Sequence, residues 1–388
     1  MSPNSAGAST GVPFRATIWS KPFVLTWLST WMIFLGFYFL LPTLPAYYVK
    51  IGGKESNVGW LIGLFTLTAM IVRPIAGRLA DTRGKTWTMF FGGALLTATV
   101  VFYWFVKTPA QLMTLRFFHG IGWGIYLTAA VTLIADIAHP SQRATMTGHY
   151  FLANTLAMVV GPWLGTVILA SAGNNYAWLF TSTIGLTAIA LATVWPLHAS
   201  TPVVTTTTNG RWISPRAWLP AITILFASFT YGGVVSFLPV YASPKQVSIF
   251  YCVYALALGL SRPLGGYIAD KVSRRAVVLP CMLLLTASMA ALAWKLSTTE
   301  LVIVAILYGI GFGGAGPALN ALLIDRVPPE ERGAAMGMYA AGFELGLSVG
   351  SVTLGAVLGR SNFQVMWLVA AVAPLVGFAF FGLGSRKK

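Results

Sequence analysis

One acidic residue lies far inside a long apolar stretch of the sequence. Eight of the nine Asp and Glu residues fall in loops or near the ends of apolar segments, whereas Glu344 lies within 333–358. It follows Arg332 by twelve residues, which corresponds to about 18 Å along an α-helix. Burial away from water generally disfavours the charged form of a carboxylate. Glu344 is therefore a candidate for a group that gains and loses a proton. The alternative is a protonated side chain that only hydrogen-bonds a neighbouring helix.

Two basic side chains lie inside a second apolar stretch, 110–133. A helix that begins near Lys107 would place Arg116 about 13 Å along its axis, where a charge is expected to face a cavity or a partner. We therefore predict that Arg116 binds an anion or controls the charge of a carboxylate, with His119 beside it as a proton-coupling residue. The alternative is an arginine satisfied by backbone carbonyls and a histidine that packs helices together.

Membrane-spanning helices are the elements that must position these side chains. Of the 388 residues, 56% are hydrophobic and 9% are charged, whereas about a quarter of the residues of a soluble globular domain are charged. A helix needs roughly 20 apolar residues to cross a bilayer. Twelve such windows are predicted, at 23–48, 57–79, 87–106, 110–133, 145–170, 175–195, 218–241, 247–268, 277–294, 299–322, 333–358 and 364–383.

The sequence also contains a long internal repeat. The segment from Arg73 to Asp81 matches the segment from Arg262 to Asp270, which begins 189 positions later. The same offset relates further glycines and charged residues, among them Gly120 and Gly309, Asp136 and Asp325, and Arg143 and Arg332. At the first helix of each half the offset becomes 194. A parallel repeat of a multi-helix half is one way to build a transporter whose site lies near the middle of the membrane.

Charge predicts how the chain is oriented and which partners it has. The net charge is +16, but the basic residues are distributed by membrane side instead of forming one soluble patch, so we predict the lipid bilayer and no nucleic acid as a partner. With the N-terminus in the cytoplasm, sixteen Lys and Arg lie on the cytoplasmic side and six on the other side. This positive-inside bias predicts a multi-pass protein of the cytoplasmic (inner) membrane with both termini in the cytoplasm.

The same pattern predicts the division of the chain. The longest polar stretch between spans contains a run of four threonines followed by Asn209 and Gly210, which has little to bury. We predict a cytoplasmic tail at 1–22, a six-helix bundle at 23–195, a cytoplasmic linker at 196–217 and a second six-helix bundle at 218–388.

The loop after the second span carries a family resemblance. Gly77, Asp81, Gly84 and Lys85 resemble the loop motif of the major facilitator superfamily, and nearly the whole chain fits that family's plan. The resemblance implies an all-α membrane protein with twelve transmembrane helices in two pseudo-symmetric six-helix bundles. It also implies that the bundles rock against each other and expose a central site to each side of the membrane in turn.

The resemblance implies a conformational latch at the end of the second span. Asp81 would interact with the start of a neighbouring helix, and the small residues from Gly333 to Gly337 could receive it. The alternative is that these are ordinary charges at the membrane surface. The predicted latch comprises Arg73, Gly77, Asp81, Arg83, Gly84 and Lys85, with a second copy at Arg262, Gly266 and Asp270.

Two further motifs concern gating and direction. Asp136, Arg143, Asp325 and Arg332 lie in matching loops and are predicted to form a cytoplasmic gate, with solvated loop charges as the alternative. The segment from Gly161 through Pro162 to Gly165 resembles the Gly-Pro motif of the antiporter branch of the family, although Ala157 and Thr166 replace two of its glycines. It favours export, and the alternative is a kink that only packs helices.

Aromatic side chains with one polar atom suit amphipathic organic ligands, although each could instead be a packing or interfacial residue. In the family, helices one, four, seven and ten line the cavity. The candidate cavity residues are Trp31, Tyr38, Arg116, Trp123, Tyr126, Asn154, Tyr231, Asn320 and Glu344.

These expectations combine into a function. We expect a monomeric secondary transporter that exports a small amphipathic compound, with a carboxylate suggested by Arg116 and His119, in exchange for protons. Proton-coupled uptake of a sugar or organic anion is the first alternative, and a non-transporting membrane sensor is the second. No nucleophile with a base and an orienting group, and no His/Cys metal set, is visible in the sequence, so we predict no enzyme activity, no metal and no cofactor.

Overall fold

The computed structural model describes residues 20–138, 143–199, 214–328 and 331–385, and twelve helices in this part of the chain are long and apolar enough to cross a membrane. They confirm the predicted all-α membrane fold. The helices are α1 Lys21–Leu40, α2 Val58–Arg83, α3 Lys85–Tyr103, α4 Pro109–Ile137, α5 Arg143–Ser171, α6 Tyr176–Val194, α7 Trp218–Tyr241, α8 Pro244–Lys271, α9 Arg274–Ala291, α10 Thr298–Arg326, α11 Arg332–Leu358 and α12 Phe363–Gly384.

The predicted first span, 23–48, is interrupted in the structure. A turn separates α1 from a short helix, Leu44–Lys50, and Pro42 and Pro45 lie at this break. Proline donates no backbone hydrogen bond, so the helix cannot continue regularly through the pair. The Thr43 hydroxyl donates to the Phe39 carbonyl at 2.8 Å and satisfies a backbone group that the break leaves open.

Because the twelve spans run alternately through the molecule, the start of α1, the end of α6, the start of α7 and the end of α12 lie on one side. We call this the linker side and the opposite side the distal side. The predicted linker, 196–217, is described at its ends, as the turns Trp195–Ala199 and Pro215–Ala217, and residues 200–213 lie outside the described part. We call the helices before this segment the N-terminal half and those after it the C-terminal half.

Capping residues define several distal helix starts. Thr108 and Gln111 begin α4, Ser243 and Gln246 begin α8, and each pair forms a reciprocal capping box. Each box satisfies backbone N–H groups that would otherwise lack a partner at the start of a helix. Short polar loops can therefore join long membrane helices on this side.

Glycines set equivalent helix contacts in the two halves. A side chain at Gly120 of α4 would collide with the Phe65 carbonyl of α2, and one at Gly309 of α10 would collide with the Tyr254 carbonyl of α8. Both members of this contact are related by the 189-residue offset. The repeat in the sequence is therefore a repeat in helix packing, because the same close approach needs glycine in each half.

The two halves meet on the distal side. Gly59 of α2 lies against the Ser351 carbonyl of α11, and Gly63 lies against Val352. Between α5 and α8 the Thr166 hydroxyl donates to the Ser248 hydroxyl at 2.9 Å. The Thr66 and Ser348 hydroxyls share a further hydrogen bond between the halves. Small residues thus allow the distal ends of the halves to pack closely.

On the linker side the described residues make few contacts between the halves. A Cβ atom built at Gly77, Gly266 or Gly337 would meet no atom within 4 Å. These are the positions at which the predicted latch and its receiving surface would touch. Between described residues, no hydrogen bond or ion pair joins the halves further toward the linker side than the two arginine contacts described next. Among the described residues, the contacts between the halves are therefore concentrated on the distal side, and none is made at the glycines of the predicted latch.

Candidate functional site

Glu344 forms an ion pair between the halves with Arg73. Arg73 extends from α2 and Glu344 from the middle of α11, and a guanidinium nitrogen of Arg73 contacts one carboxylate oxygen of Glu344. The side chains are 31% and 12% exposed. The second oxygen of Glu344 and Nε of Arg73 are buried, and neither has a partner among the described residues. The acidic residue inside the membrane segments is thus held by a cation from the opposite half.

The matching arginine of the second half makes the matching contact. Nη1 of Arg262 in α8 donates to the Thr155 hydroxyl of α5 at 2.8 Å. Arg262 follows Arg73 by 189 residues, and Glu344 follows Thr155 by the same number. The two bridges are therefore equivalent, except that one ends on a carboxylate and the other on a neutral hydroxyl. Sequence analysis missed Thr155, although the repeat offset applied to Glu344 identifies it.

These contacts place both arginines apart from the aspartates of the predicted latch, and their role in the latch stays a prediction. Each arginine precedes the aspartate of its motif by eight residues, or about 12 Å along the helix axis. Arg73 and Arg262 share a helix with Asp81 and Asp270, but they contact the opposite half at another level. Position on one helical face does not bring residues two turns apart into one cluster.

The other ion pairs that the described residues form on the linker side each lie within one half. Lys85, at the start of α3, contacts Asp136 near the end of α4. At the equivalent place, Nε of Arg274 donates to Asp325 at 3.0 Å, and another nitrogen of Arg274 contacts Asp270. A basic residue that begins one helix thus anchors the end of the next. The side chains of Arg143 and Arg332 lie outside the described part, so the predicted gate stays a prediction.

The turn between α2 and α3 depends on Gly84. Its φ angle is +95°, in the left-handed region that favours glycine. The neighbouring guanidinium of Arg83 lies over the Trp87 ring at 5.8 Å. Asp81 is half-buried and forms no ion pair with a described residue. The residues of the predicted latch therefore include a tight turn at the end of α2, and their action as a latch stays a prediction.

Several predicted cavity residues lie beside the second bridge. The Tyr38 hydroxyl donates to Oδ1 of Asn154 at 2.8 Å, and Asn154 directly precedes Thr155 on α5. Nε1 of Trp31 and Oδ1 of Asn320 are buried without a partner among the described residues. Tyr38 and Asn154 thus belong to the site geometrically, while Trp31 and Asn320 retain unused polar atoms.

Each half contributes an aromatic cluster. Phe37 lies 5.2 Å from Phe65 and 4.6 Å from Trp123 between ring centroids. In the other half, Tyr231 lies 6.3 Å from Tyr254 and 5.3 Å from Phe312. We call Phe37, Phe65 and Trp123 the N-terminal cluster, and Tyr231, Tyr254 and Phe312 the C-terminal cluster. The repeat offsets relate each residue of the first cluster to one residue of the second. The predicted cavity residues Trp123 and Tyr231 are nearly buried in these clusters.

Arg116 and His119 lie inside the N-terminal half in the observed conformation, and their predicted roles in the site stay predictions. Arg116 is 2% exposed, donates from Nε to the Leu61 carbonyl at 2.9 Å, and lies 4.3 Å from the centroid of the Phe65 ring. His119 shares a 2.8 Å hydrogen bond with the Tyr103 hydroxyl. Both side chains are satisfied inside the N-terminal half, as the alternative interpretation held.

Tyr126 is also a packing residue in this conformation. It is 1% exposed and shares a 2.5 Å hydrogen bond with the Ser29 hydroxyl of α1. Ser29 in turn donates to the Ala190 carbonyl of α6 at 2.9 Å. In this conformation its polar atom helps to hold three helices of one half together, and the role of Tyr126 in the cavity stays a prediction.

The Gly-Pro motif packs α5 against α1. A side chain at Gly161 would collide with Cβ of Tyr38, and one at Gly165 would meet the Phe39 backbone. Pro162 lies inside the continuous helix α5. The observed geometry is that of close helix packing, and the direction suggested by the motif stays a prediction.

A known protein family matches most of the chain. The family model described as "Major Facilitator Superfamily" matches residues 26–252 and 221–388. An "Uncharacterized MFS-type transporter" of Methanocaldococcus jannaschii is 22% identical over 92% of this chain and 96% of its own length. "Quinolone resistance protein NorA" of Staphylococcus aureus is 26% identical over 59% of this chain, and the match spans 62% of NorA.

Solved structures share the fold. A bacterial homologue of the human lysosomal transporter Spinster, described as inward-facing and unoccupied, has a TM-score of 0.78 at 16% identity and covers 96% of this chain and 98% of its own. The nucleoside transporter NupG has a TM-score of 0.74 at 16% identity, with 94% and 99% covered. Identities this low show a common architecture and leave the chemistry of each site open.

Proposed function

Because the chain belongs to the major facilitator superfamily of membrane transporters, we propose that it exports a small amphipathic compound across the cytoplasmic membrane in exchange for protons. The ion pair between Arg73 and Glu344 carries this proposal. A carboxylate inside the membrane segments is expected to serve function. Here it also joins two halves that must move relative to each other, so its charge can control that movement. Because the two halves of one chain supply both sides of the site, a monomer is sufficient for transport.

Protonation of Glu344 would couple the proton to the movement. A protonated carboxyl carries no charge and loses the ionic part of its attraction to Arg73. The bridge would then weaken, and the halves could change their relative position while Arg73 turns toward another acceptor. Deprotonation on the other side of the membrane would restore the ion pair. In this scheme Arg73 is a positioning residue and Glu344 carries the proton.

We propose that the linker side faces the cytoplasm. The excess of Lys and Arg on this side favours that orientation by the positive-inside rule. The observed conformation would then be open to the cytoplasm, and the structural neighbour described as inward-facing has a similar fold. Substrate would enter from the cytoplasm, consistent with export.

Export is supported by the Gly-Pro motif and by the partial similarity to a quinolone resistance protein. Everted membrane vesicles with an imposed pH gradient test both direction and coupling. Gradient-driven accumulation of a labelled candidate compound inside everted vesicles is expected, since their interior corresponds to the cell exterior. Accumulation restricted to right-side-out vesicles would instead indicate uptake, and transport that ignores the gradient would exclude proton exchange.

The latch hypothesis predicts a conformational effect of Asp81→Asn. We propose that Asp81 meets the start of α11 when the linker side closes, where an acidic side chain interacts favourably with the helix N-terminus. Loss of its charge should favour the linker-open state by about fivefold, because such an interaction is worth about 1 kcal/mol.

Spin labels at the exposed, repeat-related positions Arg78 and Tyr267 report the separation of the linker ends. The control is Glu300→Gln, which removes a carboxylate at a distal helix start, far from the linker ends. An unchanged distance distribution in Asp81→Asn would contradict the latch.

A further inference from the structure

The two arginine bridges differ in charge although they occupy equivalent places. Arg73 is neutralised by Glu344, whereas Arg262 ends on the hydroxyl of Thr155. No ion pair of Arg262 occurs among the described residues, and Asp270, the acid nearest along α8, pairs with Arg274. A cation at this depth without a counter-charge is costly in a membrane protein. The structure therefore presents one uncompensated positive charge between the halves.

The donors of Arg262 are not used up by the protein. A guanidinium carries five N–H groups in a planar fork that suits a carboxylate. One of these groups donates to Thr155, and the side chain as a whole is half-buried, so part of it is accessible. The Tyr38 and Asn154 pair lies next to Thr155 and adds further polar groups.

An apolar surface with a free polar atom lies nearby. Tyr254 of the C-terminal cluster precedes Arg262 by eight residues on α8, which is about 12 Å along the helix axis. The Tyr254 hydroxyl is buried and has no hydrogen-bond partner among the described residues. A ligand that places an anionic group at Arg262 could pack its body against the exposed edges of Tyr231 and Phe312, which are each 8% exposed. The Tyr254 hydroxyl would become its partner only after the cluster moves.

We propose that Arg262 binds the carboxylate of an organic anion whose aromatic or otherwise apolar body packs against the C-terminal cluster. This inference rests on the proposed function, for which it names the substrate class. It also assigns to Arg262, which lies between the halves, the carboxylate binding that the sequence predicted for Arg116. The repeat offers a direct test, since Thr155→Glu would create at Arg262 the ion pair that Arg73 already has.

Binding of aromatic acids to the purified full-length protein in lipid nanodiscs tests the proposal. Benzoate, cinnamate and naphthoate are each compared with their neutral amides, and the measured quantity is the ratio of the two affinities. At least one acid is expected to bind about tenfold or more tightly than its amide, because hydrogen bonds to charged groups discriminate by at least that factor. The ratio should fall to about one in Thr155→Glu and in Arg262→Gln.

Thr155→Gln is the matched control, since it has the size of the glutamate variant without its charge, and its ratio should remain near that of the natural protein. Folding of every variant is checked by monodispersity and thermal unfolding. A ratio near one for all three acids in the natural protein, or a ratio that persists in Arg262→Gln, would overturn the proposal. Gradient-driven export of compounds without any acid preference would overturn it while sparing the proposed function. Tighter binding of the acids without gradient-driven transport would support the carboxylate site and overturn the proposed function.

Discussion

Replacement of Glu344 by glutamine should reduce gradient-driven transport to the level of vesicles that lack the protein. Glutamine keeps the size of the side chain and can still hydrogen-bond Arg73, but it can neither carry a negative charge nor release a proton. The ion pair between α2 and α11 would therefore no longer respond to pH. Ligand binding to the purified variant should persist, because binding needs the site and not the proton.

The control for this experiment is Glu300→Gln. Glu300 lies at the distal start of α10 and forms a capping box with Ser297, a role that glutamine also fills at Gln111 and Gln246. The control variant should transport at the rate of the natural protein. Full gradient-driven transport by Glu344→Gln, measured in the same vesicles and at equal protein content, would remove Glu344 from the coupling mechanism.

Replacement of Gly59 by valine should open the distal side. In the observed conformation a side chain at Gly59 would collide with the Ser351 carbonyl of the opposite half. Overpacking of this kind costs about 1–3 kcal/mol, so the ratio of distal-open to distal-closed molecules should rise roughly 5- to 150-fold. The strain exists only while the halves touch there, and the expected result is therefore a shift of conformation more than a loss of folding.

Spin labels at the exposed, distal positions Lys107 and Lys295 measure this shift as a gain in the longer distances. Gly185→Val is the matched control, since a side chain at Gly185 of α6 meets no atom within 4 Å. The control should keep the distances of the natural protein. If Gly59→Val also keeps them, the distal contact does not determine which side is open.

Hydropathy and the internal repeat predicted the fold because they record physical requirements directly. Each span must cover the hydrocarbon thickness with apolar residues, and duplicated halves keep the glycines that their helix contacts need. Gly120 and Gly309 show this, since both face the equivalent carbonyl of a neighbouring helix. The break after Leu40 was not predicted, because the composition remains apolar through Pro42 and Pro45.

The site was harder to predict because depth along a helix does not specify which face a residue occupies. Arg116 is four residues before Gly120 and eight before Gly124. Both glycines pack against α2 within the N-terminal half, so Arg116 shares the face that turns away from the other half. The glycine spacing thus contained a signal that would have placed Arg116 correctly. By contrast, the pairing of Arg73 with Glu344 depends on how the halves meet, which no local pattern specifies.

The chemistry of the distal contact has a consequence for a cell whose surroundings change. The contacts described there involve glycine, serine, threonine and valine side chains or backbone carbonyls. In the proposed orientation this buried contact lies toward the external medium, whose ionic strength and acidity the cell does not control. Uncharged contacts are not screened by salt and do not titrate. Changes in external salt concentration or pH should therefore leave the strength of this contact unchanged, so the distal side would stay closed when the surroundings change.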